Sequence, residues 1–175
     1  MLEIEYELTY LAKYLPDQIS NIQPVKVVDY YLPEANTVHP HLRVRAKGNS
    51  KFEITKKQPL NGTDSSEQSE HTIVINEQEY KDIIANRERS VIKNRYSTNY
   101  KSFALDVDVF QGSLRGLVLI DFEFKTKKQK EAFRAPDFCL ADVTQESFIA
   151  GGLLAGKSYQ DIEKELARYS YQKIV

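Results

Sequence analysis

The chain has 175 residues, of which 41% are hydrophobic and 28% are charged, as is typical of one soluble globular domain with a sizeable core. Its net charge of −1, from 24 basic and 25 acidic residues, indicates no general attraction to nucleic acid or to an anionic membrane. The single cysteine excludes an intramolecular disulfide and a thiolate metal cage, and no stretch is long and apolar enough to span a membrane. No leader pattern follows Met1, so we expect a single cytoplasmic domain over residues 1–175.

The first half of the chain alternates apolar with polar residues, which is the period of half-buried β-strands. Gly48-Asn49-Ser50 indicates a hairpin turn between the third and fourth of these strands. The polar segment 58–70 is rich in turn residues and is predicted to be a solvated loop, the best candidate for disorder. The predicted strands are 3–12, 25–32, 41–47, 51–57 and 71–75.

A short helix is predicted over 76–88, and three further strands follow it, over 90–98, 103–111 and 116–125. The last third of the chain, from about Lys127, is predicted to be mostly helical. Hairpin-length turns favour an antiparallel sheet, and closing such a sheet removes its exposed edges. The sequence therefore predicts an α+β fold of about eight strands, arranged as an antiparallel barrel or a strongly curved sheet.

The segment "GGLLAGKS", residues 151–158, matches the phosphate-binding P-loop pattern G-x-x-x-x-G-K-[ST]. That motif works only where a buried strand runs into the glycine loop and a helix follows. Here Thr144 is predicted to begin one helix, Gly156 to end it and Ser158 to begin a second one. The glycines would then join helix to helix, so we interpret the match as coincidental.

The polar faces of the predicted strands carry charges sorted by sign. A solvated sheet tends to mix signs, because like charges on neighbouring strands repel. Concentrated carboxylates need a cation, and their oxygen ligands suit Mg²⁺ or Mn²⁺, whereas concentrated arginine and lysine suit phosphate oxygens. Both sets lining one barrel would bind a metal-complexed polyphosphate. The acidic pairs are Glu5/Glu7, Asp106/Asp108 and Asp121/Glu123, and the basic residues are Arg43/Arg45, Lys93/Arg95 and Lys57.

Short motifs along nearly the whole chain resemble, in order, those of the CYTH superfamily, the triphosphate tunnel metalloenzymes. The first strand fits the family's E-x-E frame before Leu-Pro, and later strands are similar to its R-x-R, L-T-x-K, K-x-R-Y and long acidic signatures. Each piece is short, but the ordered set is specific. The matching segments are "EYELTYLAKYLP" (5–16), "DYYL" (29–32), "LRVR" (42–45), "ITKK" (54–57), "IKNRY" (92–96), "DVDVFQGSLRGLVLIDFEF" (106–124) and "DVT" (142–144).

The resemblance implies an antiparallel eight-stranded β-barrel, or tunnel, with peripheral and C-terminal helices. It implies that acidic residues hold a divalent metal, Mg²⁺ or Mn²⁺, and that basic residues grip the phosphates of a triphosphate. The metal set would be Glu5, Glu7, Asp121 and Glu123, supported by Asp106 and Asp108, with Glu5, Glu7 and Glu123 as catalytic residues. The phosphate set would be Arg43, Arg45, Lys57, Lys93 and Arg95.

One position departs from the family pattern. In the register set by Leu15-Pro16, the lysine of E-x-E-x-K falls on Thr9. A shift of two residues would use Glu3 and Glu5 instead, but Glu7 then stands where the lysine belongs. We favour the first register because it keeps the whole frame up to Leu-Pro.

The activity that the resemblance implies is hydrolysis of inorganic triphosphate or of an organic triphosphate such as thiamine triphosphate or a nucleoside triphosphate. A class IV-type adenylyl cyclase is the enzymatic alternative. A polyphosphate-binding protein with weak turnover is a third reading, motivated by Thr9 in place of the lysine. The expected partner is a small-molecule triphosphate, without nucleic acid or membrane, and a homodimer is left open.

Overall fold

The computed structural model describes residues 3–33 and 41–174, and only the backbone of Glu3. Its strands are β1 (Glu3–Ala12), β2 (Val25–Leu32), β3 (Leu42–Lys47), β4 (Lys51–Pro59), β5 (Glu67–Ile75), β6 (Ser90–Tyr100), β7 (Phe103–Phe110), β8 (Val118–Phe124) and β9 (Cys139–Asp142). Its helices are α1 (Glu77–Ile84), α2 (Lys127–Ala132), α3 (Gly151–Leu154) and α4 (Tyr159–Ala167), with short 3₁₀ helices at Asp17–Ile19, Gly112–Leu114 and Ser147–Ile149. None of the helices in the described ranges has the length and apolar character needed to cross a membrane.

The strands form one antiparallel sheet in the order β5-β4-β3-β2-β6-β7-β8-β1-β9, and β1 also pairs with β5. That last pairing, from Glu3 opposite Glu70 to Tyr6 opposite Glu67, closes β1 to β8 into a barrel. The second half of β1 pairs with β9, which is added outside the eight-stranded ring. The predicted α+β fold with an antiparallel eight-stranded barrel is confirmed.

Apolar side chains on the outer faces of the strands pack against the helices. On β1, β7 and β8 they form a cluster around Phe122 that α2 and the following segment cover with Phe133 and Phe138. On β3 and β4 they meet Tyr80 of α1, whose ring lies 4.8 Å from that of Phe52. This apolar outer layer leaves the inner faces of the same strands for the charged residues.

A third apolar cluster lies where β1, β6, β7 and β8 meet the C-terminal helices. It includes Leu119 and Phe110 from the strands and Leu154, Ile162 and Leu166 from α3 and α4. The apolar character of Leu119 predicts that it shares the outer strand face with Phe122 and Phe124, and that prediction was wrong. Its spacing from Asp121 places both side chains on the inner face, so the helices pack against one end of the barrel.

The prediction that 58–70 forms a solvated loop was wrong at both ends. β4 continues to Pro59, and β5 begins at Glu67 and pairs with both β4 and β1. Only a short turn, whose Asp64 side chain accepts hydrogen bonds from Ser66, connects the two strands. The polar composition of the segment hid the strand, because its inward-facing side chains, such as Gln68 and Glu70, line a polar cavity and not an apolar core.

The C-terminal part is less helical than predicted, because it includes β9 and irregular segments. Thr144 does not begin a helix, since its hydroxyl group donates to Asp142 and accepts a hydrogen bond from the backbone N–H of Thr9. In contrast, Gly156 has a φ of 83° directly after α3, and Ser158 and Asp161 form a capping box at the start of α4, as predicted.

Candidate active site

The barrel encloses a cavity of about 740 Å³. Because side chains alternate along each strand, every second residue faces the interior of the closed barrel. All the residues predicted to bind metal or phosphate lie in the lining of this one cavity. They are Glu5, Glu7, Arg43, Arg45, Lys57, Lys93, Arg95, Asp106, Asp108, Asp121 and Glu123.

Three carboxylates converge on one side of the cavity. Glu5, Glu7 and Glu123 each offer an oxygen, and these oxygens lie within 4.8 Å of one another. The antiparallel register creates the cluster, because Glu7 is the cross-strand partner of Glu123 and Glu5 shares its face of β1. Burial and then repulsion from Glu7 raise the pKa of Glu5 to about 7. Such a set of close oxygen donors fits a hard divalent cation.

Lys57 neutralises part of this acidic cluster. Its ammonium group contacts Glu5 and lies 3.2 Å from an oxygen of Glu70 and 3.8 Å from one of Glu7. Burial alone would lower the pKa of Lys57, but the carboxylates of Glu7 and Glu5 raise it above its usual range. Glu70 was not predicted to be a site residue, because the segment around it was predicted to be a loop. Its alternation with Gln68 on β5 was the available signal.

Arg45 on the opposite wall is held by an aspartate that the sequence analysis did not select. Its Nε and Nη2 donate to the two carboxylate oxygens of Asp29, at 2.6 and 2.7 Å. The two residues are direct cross-strand partners on β2 and β3, and both are buried. The available signal was the position of Asp29 between Val27 and Tyr31, because a charged residue in an apolar strand needs a partner.

Asp108 has the same relation to the other basic pair. Its carboxylate contacts the ammonium group of Lys93 and accepts two hydrogen bonds from Arg95, at 2.7 and 2.6 Å. Burial alone would raise the pKa of Asp108, but Arg95 and Lys93 lower it below its usual range. Arg95 also contacts Asp106 at 2.5 Å. In this arrangement the Asp106/Asp108 pair lies among cations, and its members are counter-ions of the basic side chains.

Asp121 lies between the two charged sets. It accepts a hydrogen bond of 2.7 Å from the hydroxyl group of Thr9, and an oxygen of Asp121 is 3.6 Å from Arg95. Burial, and after it the charges of Glu7 and Asp108, raises the pKa of Asp121 to about 8. In the favoured register, Thr9 stands at the position of the family lysine. It therefore gives Asp121 a neutral hydrogen-bond donor in place of a charged one. The side chain of Glu3, which the alternative register needs, lies outside the described residues.

Arg43 has a buried Nε with no hydrogen-bond partner in the described part of the chain. Buried polar nitrogens are rarely left unpaired, so such an atom in a cavity lining indicates a place for an acceptor. The neighbouring Tyr31 is partly buried and shares a side-chain hydrogen bond with Arg43, and burial raises the pKa of its phenol to about 12. An anionic ligand with several oxygens would satisfy this guanidinium group.

The P-loop-like segment 151–158 has a different role in the structure. Its first residues form α3, and a tight turn leads into α4, so it joins helix to helix, as predicted. Gly151 is required by close packing, because a Cβ atom there would lie 2.0 Å from the hydroxyl oxygen of Tyr31. The segment therefore lacks the strand that the phosphate-binding motif needs.

A scan against protein-family models finds no match to the sequence, and a search of the curated proteins finds none either. Among solved structures, the chain is similar to the inorganic triphosphatase NE1496, with 26% sequence identity and a TM-score of 0.62, over 86% of this chain and 93% of the other. A second structure of NE1496 gives 27% identity and a TM-score of 0.63, over 88% and 99% of the two chains. A candidate adenylate cyclase from Bacillus halodurans shares the fold, with 14% identity and a TM-score of 0.54, over 99% and 94%.

The chain thus forms a closed antiparallel barrel whose internal cavity is lined by carboxylates and basic side chains, the architecture expected of a triphosphate tunnel. The likeness to NE1496 in fold and sequence supports the resemblance to the CYTH superfamily that the ordered motifs predicted.

Proposed function

We propose that the protein is a divalent-metal-dependent triphosphatase that binds its substrate inside the barrel. The observation that carries the proposal is that a carboxylate cluster and an arginine with an unpaired nitrogen share one cavity. The carboxylates of Glu5, Glu7 and Glu123 cluster on one side, and the unpaired Nε of Arg43 lies in the lining of the same space. The likeness to the inorganic triphosphatase NE1496 supports the same reading.

The carboxylate cluster would hold Mg²⁺ or Mn²⁺ through Glu5, Glu7 and Glu123, because close oxygen donors without thiol or imidazole suit these ions. When bound, such an ion neutralises the charge that develops on the phosphate oxygens during in-line displacement. An oxygen of Asp121 lies 3.6 Å from Arg95, so Asp121 would help to orient that phosphate-binding side chain.

The basic wall would bind and orient the phosphate chain. Arg43 and Arg45 present guanidinium groups from β3, and Lys93 and Arg95 present cations from β6. Arginine forks match phosphate oxygens in geometry as well as in charge. Because its pKa is raised to about 8, the carboxyl group of Asp121 mostly keeps its proton at pH 7 and would become a base for an attacking water molecule at about pH 8 and above.

A polyphosphate-binding protein with weak turnover is the second candidate. The observation in its favour is Thr9, whose hydroxyl group binds Asp121 where the family has a lysine. Tight binding of tripolyphosphate without hydrolysis, measured by calorimetry, would support this candidate. Formation of cyclic AMP and pyrophosphate from ATP would instead identify the adenylyl cyclase alternative.

The test is a screen of inorganic triphosphate, thiamine triphosphate and ATP, each with Mg²⁺ and with Mn²⁺. We expect metal-dependent release of phosphate from at least one substrate. Glu123→Gln should lower kcat/KM at least a hundredfold, because one of three clustered carboxylates is lost. Glu163→Gln, on the exposed side of α4, is the control and should retain activity. Unchanged turnover in Glu123→Gln would exclude this metal site.

A further inference from the structure

Asp29 lies behind the proposed phosphate-binding wall and is one of the most buried charged residues of the protein, with a relative exposure of 0%. It is absent from the cavity lining, whereas its partner Arg45 is part of that lining. Burying a carboxylate is costly unless it is paired and hydrogen-bonded. The two short hydrogen bonds to Arg45 meet that requirement, so the pair is built as one unit.

The geometry of the pair leaves one nitrogen of the guanidinium group for a ligand. Asp29 occupies Nε and Nη2 of Arg45, and Nη1 is not part of this interaction. A carboxylate that binds two nitrogens fixes the plane of the guanidinium group as well as its position. A long arginine side chain would otherwise lose considerable rotamer freedom when it binds a phosphate.

The charges around Asp29 also point to a role in the phosphate-binding wall. Burial alone would raise its pKa, but Arg45, followed by Arg43 and Lys93, lowers it below its usual range. Asp29 is therefore ionised beside three cations of the proposed phosphate set. Asp108 has the corresponding relation to Lys93 and Arg95 on the other side of the wall.

We propose that Asp29 is a positioning residue for substrate binding, which holds the guanidinium group of Arg45 in the orientation that receives a phosphate group. The inference rests on the proposed function, because it needs a polyphosphate in the cavity. Asp29 makes no contact with substrate in this role, and its contribution to affinity passes through Arg45.

The experiment is a double-mutant cycle on the full chain. Binding of inorganic tripolyphosphate is measured by calorimetry in EDTA, and KM, kcat and the half-saturating Mg²⁺ concentration are measured in hydrolysis assays. Asp29→Asn should weaken tripolyphosphate binding about tenfold and raise KM by a similar factor, with a smaller change in kcat. The Mg²⁺ concentration for half-maximal activity should stay the same, because Asp29 is not one of the clustered carboxylates.

In the Arg45→Gln background, Asp29→Asn should cause no further loss of affinity. The double variant also removes both members of the buried ion pair, so it avoids leaving a buried charge uncompensated if Asp29→Asn folds poorly. Asp29→Glu keeps the charge but moves the carboxylate by about one methylene, and it should also weaken tripolyphosphate binding. Glu67→Gln is the matched control, because Glu67 is a buried strand carboxylate paired with Lys127 and Lys130 away from the cavity lining.

The outcomes separate the two proposals. If wild-type protein hydrolyses triphosphate and Asp29→Asn or Asp29→Glu binds tripolyphosphate as tightly as wild type, the positioning role is wrong and the proposed function stands. An equal loss of affinity on Asp29→Asn with and without Arg45 would also overturn the role. If wild-type protein neither binds nor hydrolyses tripolyphosphate, the proposed function and the positioning role are both wrong.

Discussion

At the scale of single residues, Arg43 gives the clearest indication of a phosphate contact. Its buried Nε has no acceptor among the described residues, whereas Arg45 and Arg95 are held by aspartates. An Nε–H group without a protein acceptor contributes no hydrogen bond to the stability of the free protein and gains one when phosphate binds. Arg43 is therefore the basic residue whose substitution should weaken substrate binding with the least effect on the stability of the fold.

We expect Arg43→Gln to raise KM for the preferred triphosphate about tenfold or more and to leave the midpoint of thermal unfolding nearly unchanged. KM rises because a charge-assisted phosphate contact is lost. The unfolding midpoint changes little because the Nε of Arg43 makes no hydrogen bond that the substitution could remove. Steady-state kinetics and circular dichroism melting measure the two quantities. Arg168→Gln, which removes an exposed ion pair with Glu165, should change neither. An unchanged KM in Arg43→Gln would contradict the assignment.

At the scale of elements, β-strand alternation was the dependable signal. The charged pairs at positions i and i+2 were predicted to share a face, and they all line the cavity. The same rule would have identified Glu70, but the polar composition of its segment favoured a loop. Threonine is a common helix cap, which is why Thr144 was predicted to begin a helix. It does not, because its hydrogen-bond partners, Asp142 and Thr9, come from strands.

The segment 151–158 supplies a test at the same scale. Because α3 and α4 meet there without a preceding strand, Lys157 should not bind phosphate. We expect Lys157→Met to change KM for triphosphate less than about twofold, whereas Lys93→Met in the cavity lining should raise it at least tenfold. A loss of substrate binding in Lys157→Met comparable with that in Lys93→Met would mean that the motif binds phosphate after all.

At the scale of the whole molecule, the fold concentrates carboxylates that are costly to ionise together. In the folded protein the pKa of Glu5 is about 7 and that of Asp121 is about 8, above the ordinary values of about 4. A group with a higher pKa in the folded state takes up a proton on folding. These two residues therefore reduce the free energy of unfolding as the pH rises from about 4 to about 8.

We expect the metal-free protein to unfold at a lower temperature at about pH 8.5 than at about pH 6, as measured by calorimetry in EDTA. Added Mg²⁺ should stabilise the protein more at the higher pH, because binding a metal requires the carboxylates to release their protons. Glu5→Gln should reduce the dependence on pH. Equal melting temperatures of metal-free protein at the two pH values would contradict the predicted protonation of the cluster.

By itself, the sequence determined most of the strands, an antiparallel barrel or strongly curved sheet, and the two sets of charged residues, because strand alternation and local charge sorting are visible over a few neighbouring positions. The eight-stranded barrel followed from the family resemblance of the ordered motifs. Only the tertiary structure decided which charges meet. Lys57 contacts Glu5 and Glu70, and Asp29 holds Arg45, through pairings set by strand register and barrel closure. Such contacts join distant parts of the chain, and their energies depend on burial and register that no local pattern contains.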